Sequence, residues 1–262
     1  MNIGTITCSY YMRIYGYNPP ENMNWGDMCD KWRAELDGAG FLELAREIRG
    51  LGYNSIEIWE PTYSFMKYSN EEAKAMGNEL TAMGFQQIAY CIGGWGASSA
   101  PVVNSAYQFA QALGAKVVVG CIQEPEKILP TVEAAGKKYG MFYAIENHPK
   151  PNLESPDEIA EAIRPYETVG ANLDTGIYNS QGYDLLGAYA MMKGKIFHVH
   201  LKDTKKGQRG CLPVGDGDAA LAELIKLLAA DKYKYMLSVE YESHGDPTPG
   251  LAKSVEYINA QL

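Results

Sequence analysis

Residues 41–60 read FLELAREIRGLGYNSIEIWE. Apolar residues recur through the first twelve at i, i+3 and i+4, the one-sided stripe of an amphipathic helix. Gly52 ends that stripe, because glycine at the position after a helix enters the left-handed region without a steric cost. The run SIEIWE (55–60) then reads as a strand with an acidic residue, Glu60, closing it. The same joint recurs at Gly84-Phe85, Gly114-Ala115 and Gly140-Met141. Helix, glycine, strand is therefore the repeating unit.

Outward from this stretch, further strand candidates are NIGTITCS (2–9), FQQIAYC (85–91), KVVVGC (116–121), MFYAIEN (141–147), ANLDT (171–175), IFHVHLK (196–202) and YMLSVEYE (235–242). Helical patterns lie between them, at 70–84, 105–114, 155–163 and 219–230. SPDEIAEAI opens on Ser155 at the N-cap, Pro156 at the first helical position and Glu158 three residues on, a capping box. Eight strand–helix units in 262 residues leave about 33 residues each, which predicts an α/β fold closed as a single (β/α)8 barrel. A doubly wound open sheet is the alternative, but the first strand-to-helix turn carries no GxGxxG. No linker or low-complexity tract divides the chain, so residues 1–262 read as one domain. Residues 10–38 are too long for an ordinary connection and predict an extended loop after strand 1. That loop carries Tyr10, Tyr11, Tyr15, Tyr17, Trp25 and Trp32, an aromatic lid, a surface excursion or an oligomer contact.

Composition narrows the function. Hydrophobic residues make up 46%, enough for a sizeable core. Lys and Arg number 23 against 32 Asp and Glu, a net charge of −9, which argues against nucleic-acid and anionic-membrane partners. Cysteines 8, 29, 91, 121 and 211 form no CxxC pair and read as free thiols. The N-terminus lacks the pattern of a signal peptide, and no run is apolar enough for a membrane span. A cytoplasmic protein is the expectation.

Four late strands end in groups suited to a metal: Glu146, Asp174, His200 and Glu240. A barrel brings strand ends onto one rim. Charges at the ends of otherwise apolar strands are costly unless paired or metal-bound. Three carboxylates and one imidazole suit Mn²⁺ first, with Co²⁺ or Mg²⁺ as alternatives, better than a structural zinc. Alternation puts His198 and Lys202 on the face of His200, His148 above Glu146, and Glu242 with Glu240. His198 then lies deeper as a supporting or core histidine, while His148 and Lys202 are candidates for substrate contact, as is Glu60.

These stretches resemble the sugar phosphate isomerase/epimerase family, with its xylose-isomerase-like TIM barrel. The resemblance rests on GYNSIEIWEP (52–61), ENHP (146–149), LDTG (173–176), HVHLKD (198–203), PVGDGD (213–218) and SVEYE (238–242), and it spans essentially the whole chain. Members include ketose 3-epimerases, hydroxypyruvate isomerase and inosose dehydratase. The resemblance implies one divalent metal held by Glu146, Asp174, His200 and Glu240, with Glu146 and Glu240 as paired acid/base groups. It implies an isomerase or epimerase of a small keto-sugar or polyol, acting through an enediolate, and a homo-oligomer or partner subunit. Two departures stand out. Ile177 occupies the place where many relatives carry a histidine, and KDTKKGQRG offers Asp203 and Arg209 without the family spacing. They open an alternative, a lyase or dehydratase that eliminates from a keto-sugar or 3-keto-glycoside, C-glycosides included, with His148 as acid/base. A nuclease-like relative would need more histidines than four and a less acidic chain. A non-catalytic subunit would not need all four ligand positions intact.

Overall fold

The computed structural model describes residues 1–208 and 210–262; Arg209 lies outside the described residues. Eight parallel strands close in sequence order into one barrel. They are β1 (Asn2–Ile6), β2 (Ser55–Trp59), β3 (Gln87–Trp95), β4 (Val117–Ile122), β5 (Phe142–Glu146), β6 (Val169–Asp174), β7 (Ile196–Leu201) and β8 (Met236–Val239). β8 closes onto β1 with Asn2 opposite Met236 and Thr5 opposite Val239. The expected α/β barrel is the fold observed.

The glycine joints do what their chemistry requires. Gly52, Gly84, Gly114 and Gly140 hold φ of +100°, +91°, +84° and +65°, which an L side chain rarely adopts. They end α2 (Gly38–Gly50), α3 (Asn70–Ala82), α4 (Ala100–Ala112) and α5 (Pro125–Tyr139) before the next strand begins. The Ser155 capping box forms as expected at the start of α6 (Pro156–Ile163), with Ser155 Oγ accepting from the Glu158 N–H and Glu158 Oε2 from the Ser155 N–H. α7 (Thr175–Gln181), α8 (Leu185–Met192), α9 (Leu221–Ala230) and α10 (Thr248–Gln261) complete the ring.

Helices α5, α7, α8 and α10 go beyond the sequence reading, β3 runs on to Trp95, β8 ends at Val239, and two further differences shape the mouth. β1 ends at Ile6, not Ser9, and the chain coils at once into a 3₁₀ segment, Thr7–Tyr15. The expected loop over 10–38 also holds α1 (Trp25–Glu35). Buried Trp32 donates from Nε1 to the Tyr11 carbonyl, which ties α1 to that coil. Trp25, at the start of α1, remains 47% exposed.

Apolar side chains fill two regions. The larger lies between strands and helices, as in Ile58, Tyr90, Phe109, Ile145 and Leu173. The smaller joins strand residues such as Val119, Ala144 and Phe197 to Tyr11 and Met12 of the 3₁₀ segment and Met28 and Trp32 of α1. The N-terminal end of the barrel is sealed by rings of Phe142, Phe197 and Tyr235, with centroids 4.4–5.7 Å apart. Polar chemistry is left to the C-terminal end, where the strand-to-helix connections form the mouth. Among the described residues, no helix is long and apolar enough to cross a membrane.

Candidate active site

Glu146 is the last residue of β5, Asp174 the last of β6, His200 lies near the end of β7, and Glu240 follows β8. Barrel closure brings them together. Each offers one ligand atom, and the four atoms all lie within 4.8 Å of one another. His200 Nδ1 is 3.2 Å from both Glu146 Oε1 and Glu240 Oε2. All four residues are buried.

The chemistry of this cluster fits a divalent cation. Among the described residues, no hydrogen bond satisfies buried Asp174 Oδ2 or Glu240 Oε2. A buried carboxylate oxygen without a partner is costly, and a cation at the convergence of the four groups removes that cost. The crowding is visible in the acidities. Burial, together with the Glu240 and Glu146 charges, pushes the Asp174 carboxyl up to about 8 against the opposing pull of Lys202. For Glu240 burial pushes upward, but Lys202 and His200 outweigh it and hold the group at about 2. Cys8, Cys91 and Cys121 line the same cavity. Burial, helped by the Glu146 charge, pushes Cys121 up to about 12, so this thiol stays protonated.

A second carboxylate supports the imidazole from below. Glu57, fully buried on β2, places both oxygens 3.1 Å from His200 Nε2 and Oε2 2.9 Å from His198 Nε2. Burial would raise its pKa, but the adjacent His198 and His200 outweigh that and lower it. Glu57 engages Nε2 and Nδ1 faces the mouth, and a carboxylate set against the far nitrogen in this way fixes the tautomer and ring orientation of a histidine that ligates a metal. His198 is the deeper, supporting histidine.

Backbone positions are set by buried amides. Asn147 clamps the end of β6, its Oδ1 accepting the Asp174 N–H at 2.8 Å and its Nδ2 donating to the Asp174 carbonyl at 3.0 Å. Asn172 Oδ1 accepts the His200 N–H at 3.0 Å. Asp174 also caps α7, with Oδ1 accepting the Ile177 N–H and Oδ2 left toward the cluster.

Of the residues expected to touch substrate, His148 and Lys202 line the cavity above the cluster. Asn152 Nδ2, 3.2 Å from His148 Nδ1, can only donate there, which leaves the proton on Nε2. Lys202 Nζ reaches Glu242 at 2.5 Å, Glu240 at 3.4 Å and Asp174 at 3.9 Å. Burial would lower its pKa, but these carboxylates outweigh that and raise it. Glu60 does not follow the expectation. It is buried away from the cavity, paired with Arg33 Nη2 at 2.6 Å and accepting the Ser64 hydroxyl, so it fastens α1 to the end of β2. Glu57, three residues earlier, is the carboxylate of that strand that reaches His198 and His200. Strand alternation places Glu57 mid-strand with Ser55 and Trp59 on one face, but alternation alone does not single it out.

The mouth holds two adjoining cavities of about 330 and 560 Å³. The smaller contains the four-residue cluster; Trp25, His148, Lys202 and Glu242 border both.

A search of curated proteins finds no match. Solved structures similar in fold include an L-ribulose 3-epimerase, with 16% identity, a TM-score of 0.77, and 99% of this chain and 94% of that one covered. D-allulose 3-epimerase from Methylomonas sp. shares 13% identity at a TM-score of 0.75, over 100% and 98% of the two chains. The 3-keto-D-glucoside 4-epimerase of E. coli shares 15% at 0.66, over 99% of each. Residues 45–261 match the sequence family described as xylose isomerase-like TIM barrel, and on that match the chain belongs to this family.

Proposed function

We propose that the protein is a divalent-metal-dependent isomerase or epimerase of a small keto-sugar or polyol, with Mn²⁺ as the cation. The observation that supports it most is the convergence of Glu146, Asp174, His200 and Glu240, with two carboxylate oxygens unsatisfied, at the open end of the barrel. L-ribulose and D-allulose 3-epimerases on the same fold support the substrate class. The five unpaired cysteines support a reducing, cytoplasmic setting.

When bound, the cation supplies Lewis acidity, which acidifies the carbon between a carbonyl and its neighbouring hydroxyl and stabilises the enediolate. The remaining work belongs to the chain. Glu240, held ionised by Lys202 and His200, takes the proton from that carbon. Glu146, on the other side of His200, returns a proton to another face or position. Lys202 compensates the carboxylate charge around the reacting atoms, and His148 Nε2–H hydrogen-bonds a substrate oxygen. Trp25, Trp59 and the buried thiols limit water around the deprotonated intermediate.

One observation favours a second reading on the same site. Ile177 presents an apolar side chain to the outer cavity, in place of the family's histidine, with His148 nearby in the same wall. A lyase or dehydratase would use the same proton abstraction and eliminate a group that His148 protonates. Incubating chelated and Mn²⁺-restored protein with free ketoses, inososes and 3-keto-glucosides separates the readings. Metal-dependent stereoisomers or positional isomers support the first; release of water or aglycone alone supports the second. If no substrate in that panel changes, and none exchanges its carbon-bound proton with solvent, both are wrong.

A further inference from the structure

A further cavity, of about 300 Å³, opens at the other end of the barrel, where α8 turns into β7 and α9 turns into β8. Small-molecule sites begin at roughly this size. Buried Tyr189, Ile196 and Leu228 form its apolar side, with half-buried Tyr233 and Tyr235 beside them. Lys193, Lys232, Lys234 and Asp231 form its charged side. Ile196 opens the strand that carries His200, and Tyr235 precedes the strand that leads to Glu240. The four-residue cluster therefore lies at the far ends of the same two strands.

Three observations set this cavity apart. The first is its charge. Asp231 is already engaged, accepting the Tyr189 hydroxyl and pairing with Lys193 Nζ at 2.7 Å. Among the described residues Lys232 and Lys234 form no ion pair. Neither do Arg164 and Lys195, in the wall of an adjoining cavity that shares Lys193 and holds no acidic residue. Unpaired cations gathered on one face of a chain of net charge −9 repel one another, and an anion relieves that repulsion.

Helix C-termini favour cations and account for part of this charge, but not for the second observation, the backbone of Lys232. Its φ is +53°, in the left-handed region. Its N–H bonds to the Ala229 carbonyl at 3.0 Å and the Tyr233 N–H to the Leu228 carbonyl at 2.9 Å, the pattern that Gly114 and Ala115 make with Gln111 and Ala110. Glycine serves that position at the joints before β2 to β5 and at Gly194 before β7. Lysine is the strained choice here, so its side chain has a use that glycine would forgo. The third observation is that Lys234 is held in place. Its ammonium lies 5.1 Å from the centre of the Tyr235 ring, and its carbonyl accepts Asn2 Nδ2 at 3.0 Å and Gln87 Nε2 at 2.8 Å.

We propose that this cavity binds a small aromatic carboxylate, with the carboxylate between Lys232 and Lys234 and the ring against the tyrosine and aliphatic side. The cations supply the charge-assisted contact, and the apolar side gives area that a bare inorganic anion cannot cover. The assignment is independent of the reaction at the mouth.

The test is a titration of Mg²⁺-loaded protein with benzoate, followed by two-dimensional NMR of the backbone amides. Benzyl alcohol and inorganic phosphate are the comparison probes. Benzoate is expected to bind with a Kd of about 1 mM or below and to shift the amides of Gly194 and of residues 232–235. Benzyl alcohol lacks the charge and phosphate lacks the ring, so each should bind at least about tenfold more weakly. Lys232→Gly removes the ammonium and the left-handed strain together. It should weaken benzoate at least about fivefold and melt no lower than wild type. Lys234→Gln should weaken benzoate as well. The proposal is overturned if those amides do not shift, or if either comparison probe binds as tightly as benzoate, which for phosphate means an adventitious ion only. Shifts confined to the mouth, around Glu146 and Asp174, overturn it too, as does full affinity in both folded variants.

Discussion

His200 is held from two directions. Its Nε2 meets the Glu57 carboxylate at 3.1 Å, and its Nδ1 lies 3.2 Å from Glu146 and Glu240. Glu57 contributes no atom to the four-residue cluster, but it decides which nitrogen of His200 is free. Glu57→Gln keeps the shape and removes the charge, and a partner of this kind is worth about 10–100-fold in metal affinity. Mn²⁺ titration of that variant should show a loss in this range with the circular dichroism spectrum unchanged; wild-type affinity would mean that Glu57 only packs. The residue scale is also where sequence reading divided most clearly. Glu146, Asp174, His200 and Glu240 could be read only as a set, because four such groups closing four late strands are hard to explain as packing, and the structure brings those four together. Glu57 could not be read, because a mid-strand glutamate is interpretable only once the facing histidines are known to lie across the barrel. Glu60 sat at a strand end and was read by the same rule, but Arg33 on α1 neutralises it.

At the scale of elements, the helix-to-strand joints were legible because one residue type has one physical reason for its place. Left-handed glycines mark the four read from the sequence and also Gly194 before β7. The stretch 10–38 was not. Its turns follow Tyr11, Trp32 and the Arg33–Glu60 pair, contacts between segments that no local periodicity encodes. Joints that lack glycine rely on side chains. Glu133 on α5 accepts the Thr168 and Glu167 N–H groups at 2.9 and 3.1 Å, and the Thr168 hydroxyl, where the chain turns into β6. Burial pushes its pKa up, but these hydrogen bonds outweigh it and hold the group at about 2, below its ordinary 4.5. A lowered carboxylate pKa stabilises the fold above the unfolded value, and that contribution fades as pH falls from about 4.5 toward about 2. Urea unfolding at pH 7 and pH 3 should therefore show Glu133→Gln less stable than wild type at pH 7, with the gap narrowing at pH 3. A gap independent of pH would contradict this role.

At the scale of the molecule, the barrel separates stability from chemistry. Its N-terminal end is closed by aromatic rings, while its C-terminal end collects three carboxylates that repel one another. That collection is a cost of function. Asp174→Asn preserves an N-cap side chain for α7 and relieves the burial of charge, and the repulsion from Glu240 and Glu146, that push the carboxyl up to about 8. In chelator-treated protein this variant should melt higher than wild type, by roughly 2–4 °C for each kcal/mol relieved in a chain of this size. With Mn²⁺ added the gap should narrow, because saturating metal at about 100 times its Kd stabilises only a fold that binds it, by about 2.7 kcal/mol. A wild-type melting temperature indifferent to chelation would exclude the linkage. The most direct measurement is a Mn²⁺ titration, followed by electron paramagnetic resonance, of wild type and of Asp174→Asn, His200→Gln and Glu240→Gln. The expected result is one tight site in the wild type and loss of that site in each variant. Absence of binding in the wild type, or unchanged binding in all three variants, would contradict the assignment of the cluster as the metal centre.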